Sequence, residues 1–469
     1  MPASLISDET NRKRPRTTRA SSELSLQTLH RRAIEAAIWG MPIVSVDAMR
    51  QAFFRDAAAG YGDIVFWSKT ADWKIQTTAL NATARYVYFN FNLKNGPLVL
   101  DVPPAIGPAL HGSLVDAWQV PVSDVGPHGT DQGTGAKYVL LPPNYTGKIP
   151  LGHIPLSFRT FNGYALMRTV PAGPSYADLE KAIALVKKLS VCPLPESQNP
   201  PEQRFIDMSG QLFDGIVRFD HSLYVSLSRM VNEEPLLPRD LAIMGQLRVL
   251  GIERDKPFEP DPFLRAILDQ AAREAHLWFV AGASLHEDLY WADGRWTTPS
   301  SVGAETAFSF ETDHYLDIDR RAAFFFKSHA ALARLAKAPL QLDASSDSEG
   351  RPLNGDHDYR LRIPPKVPAS QSWEATVYDA ESFAFLRHAI RLQINPGDHG
   401  LQKNVDGSFD LYFGAAAPSR KESNWIQTTP GKNWVVALRF HGPEKPLFDK
   451  TWQLPDIELL PTAQARKAA

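Results

Sequence analysis

The chain has 469 residues, of which 43% are hydrophobic and 22% are charged, and its formal net charge at pH 7 is −2. This apolar fraction excludes a wholly disordered chain, and the near-zero charge gives no general attraction to nucleic acid or to an anionic membrane. The length predicts about three domains. We therefore expect a multi-domain globular protein whose partners include neither nucleic acid nor a membrane.

The cysteine content and the N-terminus bear on the compartment. A single cysteine, Cys192, excludes an intramolecular disulfide and a four-cysteine zinc site, and we interpret it as a buried, unreactive thiol. Residues 1–24 carry a basic run, which we interpret as a disordered tail rather than a nuclear address. Because this stretch lacks the apolar core of a secretory signal, we expect a cytoplasmic protein.

The segment 25–60 predicts an N-terminal helix. Apolar residues recur at helical spacing between positions 26 and 38, and Gly40 and Pro42 are expected to end the helix.

Residues 61–170 have the texture of short strands. The run ARYVYFNFNL is rich in aromatic and β-branched residues and is closed by Asn95-Gly96-Pro97, and similar runs follow at roughly ten-residue spacing. This pattern indicates an antiparallel sandwich or barrel.

Residues 171–297 predict a helical middle domain. Ser175 and Asp178 form a capping box before an apolar helical stripe. Further helices are expected at 205–230 and 241–250, and another is expected to open at Asp261.

Residues 298–469 return to strand patterns, including SWEATVYD, SFDLYFG and NWVVALRFHGP. Asp406-Gly407 suits a hairpin turn that needs positive φ. We predict a second β-domain, a sandwich or jelly roll.

Two parts of the chain resemble a known family. The stretches WKIQTTALNATARYVYFNFNLKNGPLVLDVPP and DVGPHGTDQGTGAKYVLLPPNYTGKIP resemble the DUF1254 domain, and GLQKNVDGSFDLYFGAAAPSRKESNWIQTTPGKNWVVALRFHGPEKPLFDKTWQLPDIE resembles the DUF1214 domain. The resemblance implies a mainly β chain with three parts: an immunoglobulin-like β-sandwich, an α-helical domain and a jelly-roll-like β-sandwich. It also implies a homo-oligomer, and it places His441 where a Tyr is usual in the family.

The sequence lacks the common cofactor and metal motifs. The chain has no G-x-S-x-G elbow, no H-E-x-x-H and no G-x-G-x-x-G before a helix, and we expect no organic cofactor. Asp124 and Asp131 could bind calcium, but a hydrogen-bonded loop is favoured. The acidic cluster at 311–319 could hold a divalent metal. A solvated acidic face with Asp313 as a helix cap is favoured there, and an ion pair of Asp313 with Arg321 is the simple structural account of both residues. No metal is therefore predicted.

The candidate site lies in the C-terminal domain. Arg439 and His441 fall on one face of a predicted strand at i, i+2. We predict His441 as general acid or base, because its pKa is ordinarily near neutrality, with a structural histidine as the alternative. Tyr378 is predicted as a second catalytic group, a donor. The residues predicted to bind substrate are Arg439, Arg420, Asn424 and Trp425.

These residues favour an enzyme of small-molecule metabolism that uses no organic cofactor. We expect a hydrolase, lyase or isomerase that acts on a partly apolar substrate between the two β-domains. The alternative is a non-catalytic ligand-binding or oligomeric assembly protein. The enzyme hypothesis requires Arg439, His441 and Tyr378 to face one shared cavity rather than solvent or a subunit interface.

Overall fold

The computed structural model describes residues 19–285, 288–298, 306–329 and 340–461. Most of the predicted basic tail, residues 1–18, lies outside these ranges. The first helix begins at Arg19, so the predicted tail boundary at residue 24 was too late.

The described residues form both helices and strands. The α-helices are α1 (Arg19–Arg55), α2 (Tyr176–Val186), α3 (Ser222–Glu233), α4 (Leu241–Val249), α5 (Pro262–Leu285), α6 (Ile318–Lys327) and α7 (Lys445–Phe448). The strands of the N-terminal half are β1 (Ile64–Phe66), β2 (Ile75–Gln76), β3 (Arg85–Asn92), β4 (Leu98–Val102), β5 (Ala109–Asp116), β6 (Pro121–Val125), β7 (Ala136–Leu141), β8 (Ile154–Ser157), β9 (Asn162–Val170), β10 (Ser190–Pro193), β11 (Phe205–Asp207) and β12 (Phe213–Asp214). The strands of the C-terminal half are β13 (Asp288–Leu289), β14 (Thr297–Thr298), β15 (Leu340–Ala344), β16 (Tyr359–Ile363), β17 (Ala369–Asp379), β18 (Gln393–Ile394), β19 (Phe409–Gly414), β20 (Trp425–Gln427), β21 (Trp434–Pro443) and β22 (Glu458–Leu459).

The first β-domain is a sandwich of two sheets. Its six-stranded sheet has the order β11-β1-β3-β9-β5-β6, and its four-stranded sheet has the order β10-β4-β7-β8. Both faces of strand β3 are buried. Val87 and Phe89 lie on one face and Tyr86 and Tyr88 on the other, so each face of this strand is covered by another part of the protein. The predicted sandwich is confirmed.

The stretch between α2 and α3 belongs to this sandwich rather than to the helical domain. β11 pairs in parallel with β1, and β12 pairs in parallel with β2. The predicted helix at 205–230 was therefore wrong in its first half, and α3 starts only at Ser222. Pairing with distant strands outweighed the local helical pattern, as is common for short apolar runs. The capping box is confirmed, because the Ser175 side chain accepts the Asp178 N–H.

Helix α1 is the centre of the helical body, and it does not stop where the sequence suggested. It runs through Gly40 and Pro42 to Arg55. The turn that contains the proline is buried, and side chains from elsewhere in the chain bond to two of its carbonyl groups: Gln119 donates to the Pro42 carbonyl and Arg321 to the Trp39 carbonyl. These bonds attach the turn to its surroundings.

The glycine of this turn has a packing role. A Cβ at Gly40 would lie 2.8 Å from Leu227 Cδ1 of α3, so the missing side chain allows the two helices to approach closely. Helices α3, α4, α5 and α6 all contact α1. The helical body therefore includes α1 and α6, which lie outside the predicted range of 171–297.

The second β-domain is also a two-sheet sandwich, as predicted. Its six-stranded sheet has the order β13-β14-β15-β21-β17-β18, and its four-stranded sheet has the order β20-β19-β16-β22. Aromatic residues fill the space between them: Trp434 contacts Tyr359 at a ring-centroid distance of 5.5 Å and Phe413 at 5.0 Å. The predicted fold class, mainly β with a helical middle domain, is confirmed.

The turn at Asp406-Gly407 forms, with Gly407 at a φ of 87°. It leads into β19, but no strand immediately precedes it, and β19 pairs with β16 and β20 instead. The turn was thus predicted correctly and the hairpin was not.

Among the helices of the described ranges, none combines the length and the apolar character that are needed to cross a bilayer.

Candidate functional site at the junction of the two sandwiches

The six-stranded sheet of the second sandwich has one apolar face and one polar face. Leu438 and Phe440 of β21 point into the sandwich core, so Arg439 and His441 point away from it. The strand register places Glu374 of β17 opposite Arg439 and Gln341 of β15 on its other side. Charged side chains therefore collect on the face that meets the first sandwich.

Three of these side chains, together with Asn81 of the first sandwich, form a group that we call the junction cluster: Asn81, Arg439 and His441 each contact Glu374. His441 Nε2 lies 3.5 Å from Glu374 Oε2. The histidine side chain is 25% exposed, whereas the glutamate side chain is only 4% exposed. The cluster thus presents an accessible imidazole that rests on a buried carboxylate, a pairing that suits proton transfer.

The Glu374 carboxylate is held from two domains. Asn81 of the first sandwich donates its side-chain N–H to Glu374 Oε1 at 2.7 Å, and Arg439 Nη1 lies 3.5 Å from the same oxygen. Burial by itself would raise the pKa of Glu374. Contact with His441 and the charges of Arg439 and Arg168 outweigh burial, so the pKa lies below its usual value. Glu374 is therefore an anion at neutral pH.

Arg439 is buried, and its donors are used within the protein. Its Nε donates to Gln341 at 2.8 Å, and its Nη2 donates to the Ala79 carbonyl at 3.3 Å. Its guanidinium also lies 5.6 Å from the centre of the Tyr378 ring. These contacts fix the orientation of Arg439 against the first sandwich.

Tyr378 projects from the same face of β17 as Glu374 but is fully buried. Its hydroxyl donates to the Leu80 carbonyl, and its ring stacks on Phe385 at 5.6 Å. Burial raises the pKa of this phenol to about 12. Tyr378 therefore helps to fasten the segment that carries Asn81, and its proton is already donated to the backbone.

The first sandwich contributes a row of side chains from the opposite sheet. The Tyr86 hydroxyl accepts the Asn81 backbone N–H at 2.9 Å. The Arg168 guanidinium lies 5.7 Å from the centre of the Tyr86 ring, and Arg168 is the register partner of His111 on β5. The two polar sheet faces thus meet around Asn81.

The structure does not bring Arg420, Asn424 and Trp425 to this junction, because they lie beside the four-stranded sheet of the same sandwich. Asn424 is buried and clamps a loop: its side chain accepts the Gln402 N–H and donates to the Gln402 and Asp410 carbonyls. Trp425 Nε1 donates to the Gly414 carbonyl at 2.9 Å. Arg420 is exposed, and its hydrogen bonds here come from its backbone.

The acidic segment 311–319 forms ion pairs and hydrogen bonds with neighbouring arginines. Glu311 pairs with Arg239 and with Arg159. The helix cap is Asp317, whose side chain accepts the Arg320 N–H, so the prediction of Asp313 as the cap was wrong. Asp317 sits immediately before α6, where a cap accepts N–H groups of the first turn.

The predicted pair of Asp313 with Arg321 is not formed either. Asp313 is exposed, whereas Arg321 is buried, with its guanidinium 5.0 Å from the Trp118 ring. Asp124 and Asp131, the two possible calcium ligands, are hydrogen-bonded within the protein. Asp131 accepts the Gly126 N–H and the Tyr138 hydroxyl, and Asp124 accepts the Ser113 hydroxyl. Over the described ranges, no group of three or more His, Cys, Asp or Glu side chains is arranged to hold a metal ion.

A second buried polar cluster, between α1, α3 and β9, was missed. Arg50 donates to Asp47, Glu233 and Asn162, and Asp47 is fully buried. Glu234 accepts the backbone and side-chain N–H groups of Asn162 at 2.9 and 2.7 Å. Burial raises the Glu234 pKa to about 7. The sequence feature that could have revealed this cluster is the pair Asp47 and Arg50, two charged residues three positions apart in an apolar helix.

Two family models match the chain. Residues 64–193 match DUF1254, a protein of unknown function, and residues 339–445 match DUF1214, also described as a protein of unknown function. The chain therefore belongs to the DUF1254/DUF1214 family, and the resemblance seen in the sequence is confirmed. Asn81 lies in the first matched region, and Glu374, Arg439 and His441 lie in the second. No curated protein matches the chain.

Two solved structures align with the chain. The VPA0106 protein from Vibrio parahaemolyticus superimposes with a TM-score of 0.52 at 16% identity, over 92% of this chain and 100% of that one. A putative uncharacterized protein from Burkholderia cenocepacia aligns with a TM-score of 0.39 at 12% identity, over 95% of this chain and 98% of that one. At this identity, the first of these two likenesses shows the fold alone.

Proposed function

We propose that the chain is an enzyme of small-molecule metabolism in which His441 transfers a proton and Glu374 orients and balances the histidine. The observation that carries the proposal is the contact of a partly exposed imidazole with a buried, anionic carboxylate that Asn81 and Arg439 hold in place. A general acid or base needs this combination of access and fixed orientation.

Glu374 lies beside one nitrogen of the ring, since His441 Nε2 is 3.5 Å from Glu374 Oε2. In this proposal the carboxylate positions the ring, and the other nitrogen, Nδ1, exchanges a proton with the substrate. The chemistry is proton transfer without an organic cofactor, as in a hydrolase, a lyase or an isomerase, on a substrate bound where the two sandwiches meet.

A non-catalytic binding or assembly protein is the second candidate. The favouring observation is that Arg439 and Tyr378 use their donors on the Ala79 and Leu80 carbonyls, which is what a clamp between domains requires. We also propose that the protein acts in the cytoplasm as a homo-oligomer. Cell fractionation and light scattering of the purified protein would test these two points.

The catalytic proposal can be tested without a known substrate. Wild-type protein, His441→Gln and the control His399→Gln would each be incubated with a small-molecule fraction of cell extract and followed by mass spectrometry. His399 is exposed and lies in a loop before Leu401. We expect at least one compound to be converted by wild type and control, and about 10²–10⁴ times more slowly by the His441 variant.

Two outcomes would count against catalysis. Conversion that persists in His441→Gln would remove the histidine from the reaction. A compound that is retained in equilibrium dialysis but never converted would favour the binding protein instead.

A further inference from the structure

We propose that Arg168 and His111 bind an anionic group, a carboxylate or a phosphate, of the small molecule that reaches His441. This inference rests on the proposed function, because it assigns the substrate class of the same junction. The two residues lie on β9 and β5 of the first sandwich, on the sheet that faces the second one.

The register brings the two side chains together on one face. His111 and Arg168 are directly paired across the antiparallel strands, so their side chains project from the same side of the sheet. Tyr86 is the partner of Arg168 on β3, which gives a row of His111, Arg168 and Tyr86. Tyr86 in turn contacts Asn81, which holds Glu374. The row is therefore connected to the junction cluster.

Arg168 differs from the other arginines around the junction. It is half-buried, yet its guanidinium makes no hydrogen bond or ion pair with any residue in the described ranges and lies over the Tyr86 ring. Arg439, by contrast, has Gln341, Ala79 and Glu374 as partners. A guanidinium has five N–H donors in a planar fork that matches carboxylate and phosphate oxygens. The fork of Arg168 is available for that use.

The local charge also favours an anion. The nearby carboxylate, Glu374, is shared between Arg439 and His441, so it does not neutralise Arg168 fully. Burial and the charges of His128 and Arg168 lower the His111 pKa. His111 is therefore neutral at physiological pH and offers one N–H donor beside the charge of Arg168. Together they form a receptor with one positive charge and an additional hydrogen bond.

Binding of two simple anions tests the inference. Inorganic phosphate and benzoate would be titrated into the full-length protein while the ring proton signals of His111 and His441 are followed by NMR. We expect at least one of the two anions to shift both signals with saturation, and comparison of the two arms distinguishes a phosphate from a carboxylate site. Arg168→Gln should weaken that binding about tenfold or more, because a charge-assisted hydrogen bond is lost.

Controls separate the site from general effects of charge. Arg273→Gln changes an exposed arginine on α5 and should leave the affinity unchanged. Arg168→Lys keeps the charge but loses the fork, so its affinity should be intermediate, and it serves as the second variant if Arg168→Gln does not fold. Wild-type affinity in Arg168→Gln, or no saturable shift with either anion, would overturn the proposal.

The two proposals fail in different ways. Anion binding that depends on Arg168, without any conversion that depends on His441, would leave the anion site standing and refute catalysis. Conversion that depends on His441, without anion binding at Arg168, would do the reverse.

Discussion

Replacing Glu374 by glutamine removes one negative charge from the junction cluster and keeps the shape of the side chain. Arg439 is only 6% exposed and would lose its buried partner. Breaking a buried ion pair by removing one charge destabilises a protein by about 3–5 kcal/mol. Because the Arg439–Glu374 distance is a long 3.5 Å, and because glutamine keeps an oxygen for Asn81, we expect the lower end, about 3 kcal/mol.

Urea unfolding followed by tryptophan fluorescence measures this loss. A multi-domain chain need not unfold in one step, so variants are compared at the same transition. The matched control is Glu381→Gln, because Glu381 pairs with Lys432 at 2.9 Å while both side chains are about half exposed. That variant should lose less than about 1 kcal/mol.

A double variant sharpens the comparison. Arg439→Met in the Glu374→Gln background removes the unpaired charge, and it should recover part of the lost stability. If Glu374→Gln shifts the urea midpoint no more than the Glu381 control does, the junction cluster is not a buried electrostatic unit and the reasoning is refuted.

Two further predictions concern other parts of the chain. Burial raises the pKa of Glu234 from 4.5 to about 7. Between these two pH values the folded state keeps a proton on Glu234 that the unfolded chain has released. Stability should therefore fall as pH rises from about 4.5 to about 7, and Glu234→Gln should flatten that slope in melting temperatures measured across this range; an unchanged slope would contradict the assignment. Asn424→Ala should destabilise by about 2–4 kcal/mol, since it removes three hydrogen bonds that the buried Asn424 side chain makes to backbone groups of Gln402 and Asp410. Arg420→Ala should change the free energy of unfolding by no more than about 0.5 kcal/mol in the same urea assay. Equal losses of stability in Asn424→Ala and Arg420→Ala would contradict the structural role of the Asn424 hydrogen bonds.

The sequence predicts the architecture well, because apolar and polar residues alternate along several of its strands. Arg439 and His441 illustrate the gain: their i, i+2 spacing in an apolar strand placed them on one face, and the structure has both at the sandwich junction. The helix through Pro42 illustrates the limit. That turn is buried and receives hydrogen bonds from Gln119 and Arg321, distant side chains whose proximity no local pattern announces.

The partners of His441 depend on strand register, which a single sequence leaves open. Of the two carboxylates in SWEATVYD, Glu374 and Asp379, only Glu374 shares the parity of Tyr378, so it could have been named as a candidate. Asn81 could not, because it lies in a loop of another domain. Asn424 and Trp425 were selected for their polar and aromatic chemistry, but their hydrogen bonds are used to shape a loop.

The hydrogen bond from Asn81 to Glu374 joins positions that are 293 residues apart in the chain. Contacts of such large sequence separation form late, because a long loop must close before they are made. During synthesis the asparagine emerges first and its carboxylate partner much later, and Arg439 and His441 follow only with β21. A nascent chain therefore cannot complete the junction before β21 has been made, and a chain that stops between Asn81 and β21 lacks it.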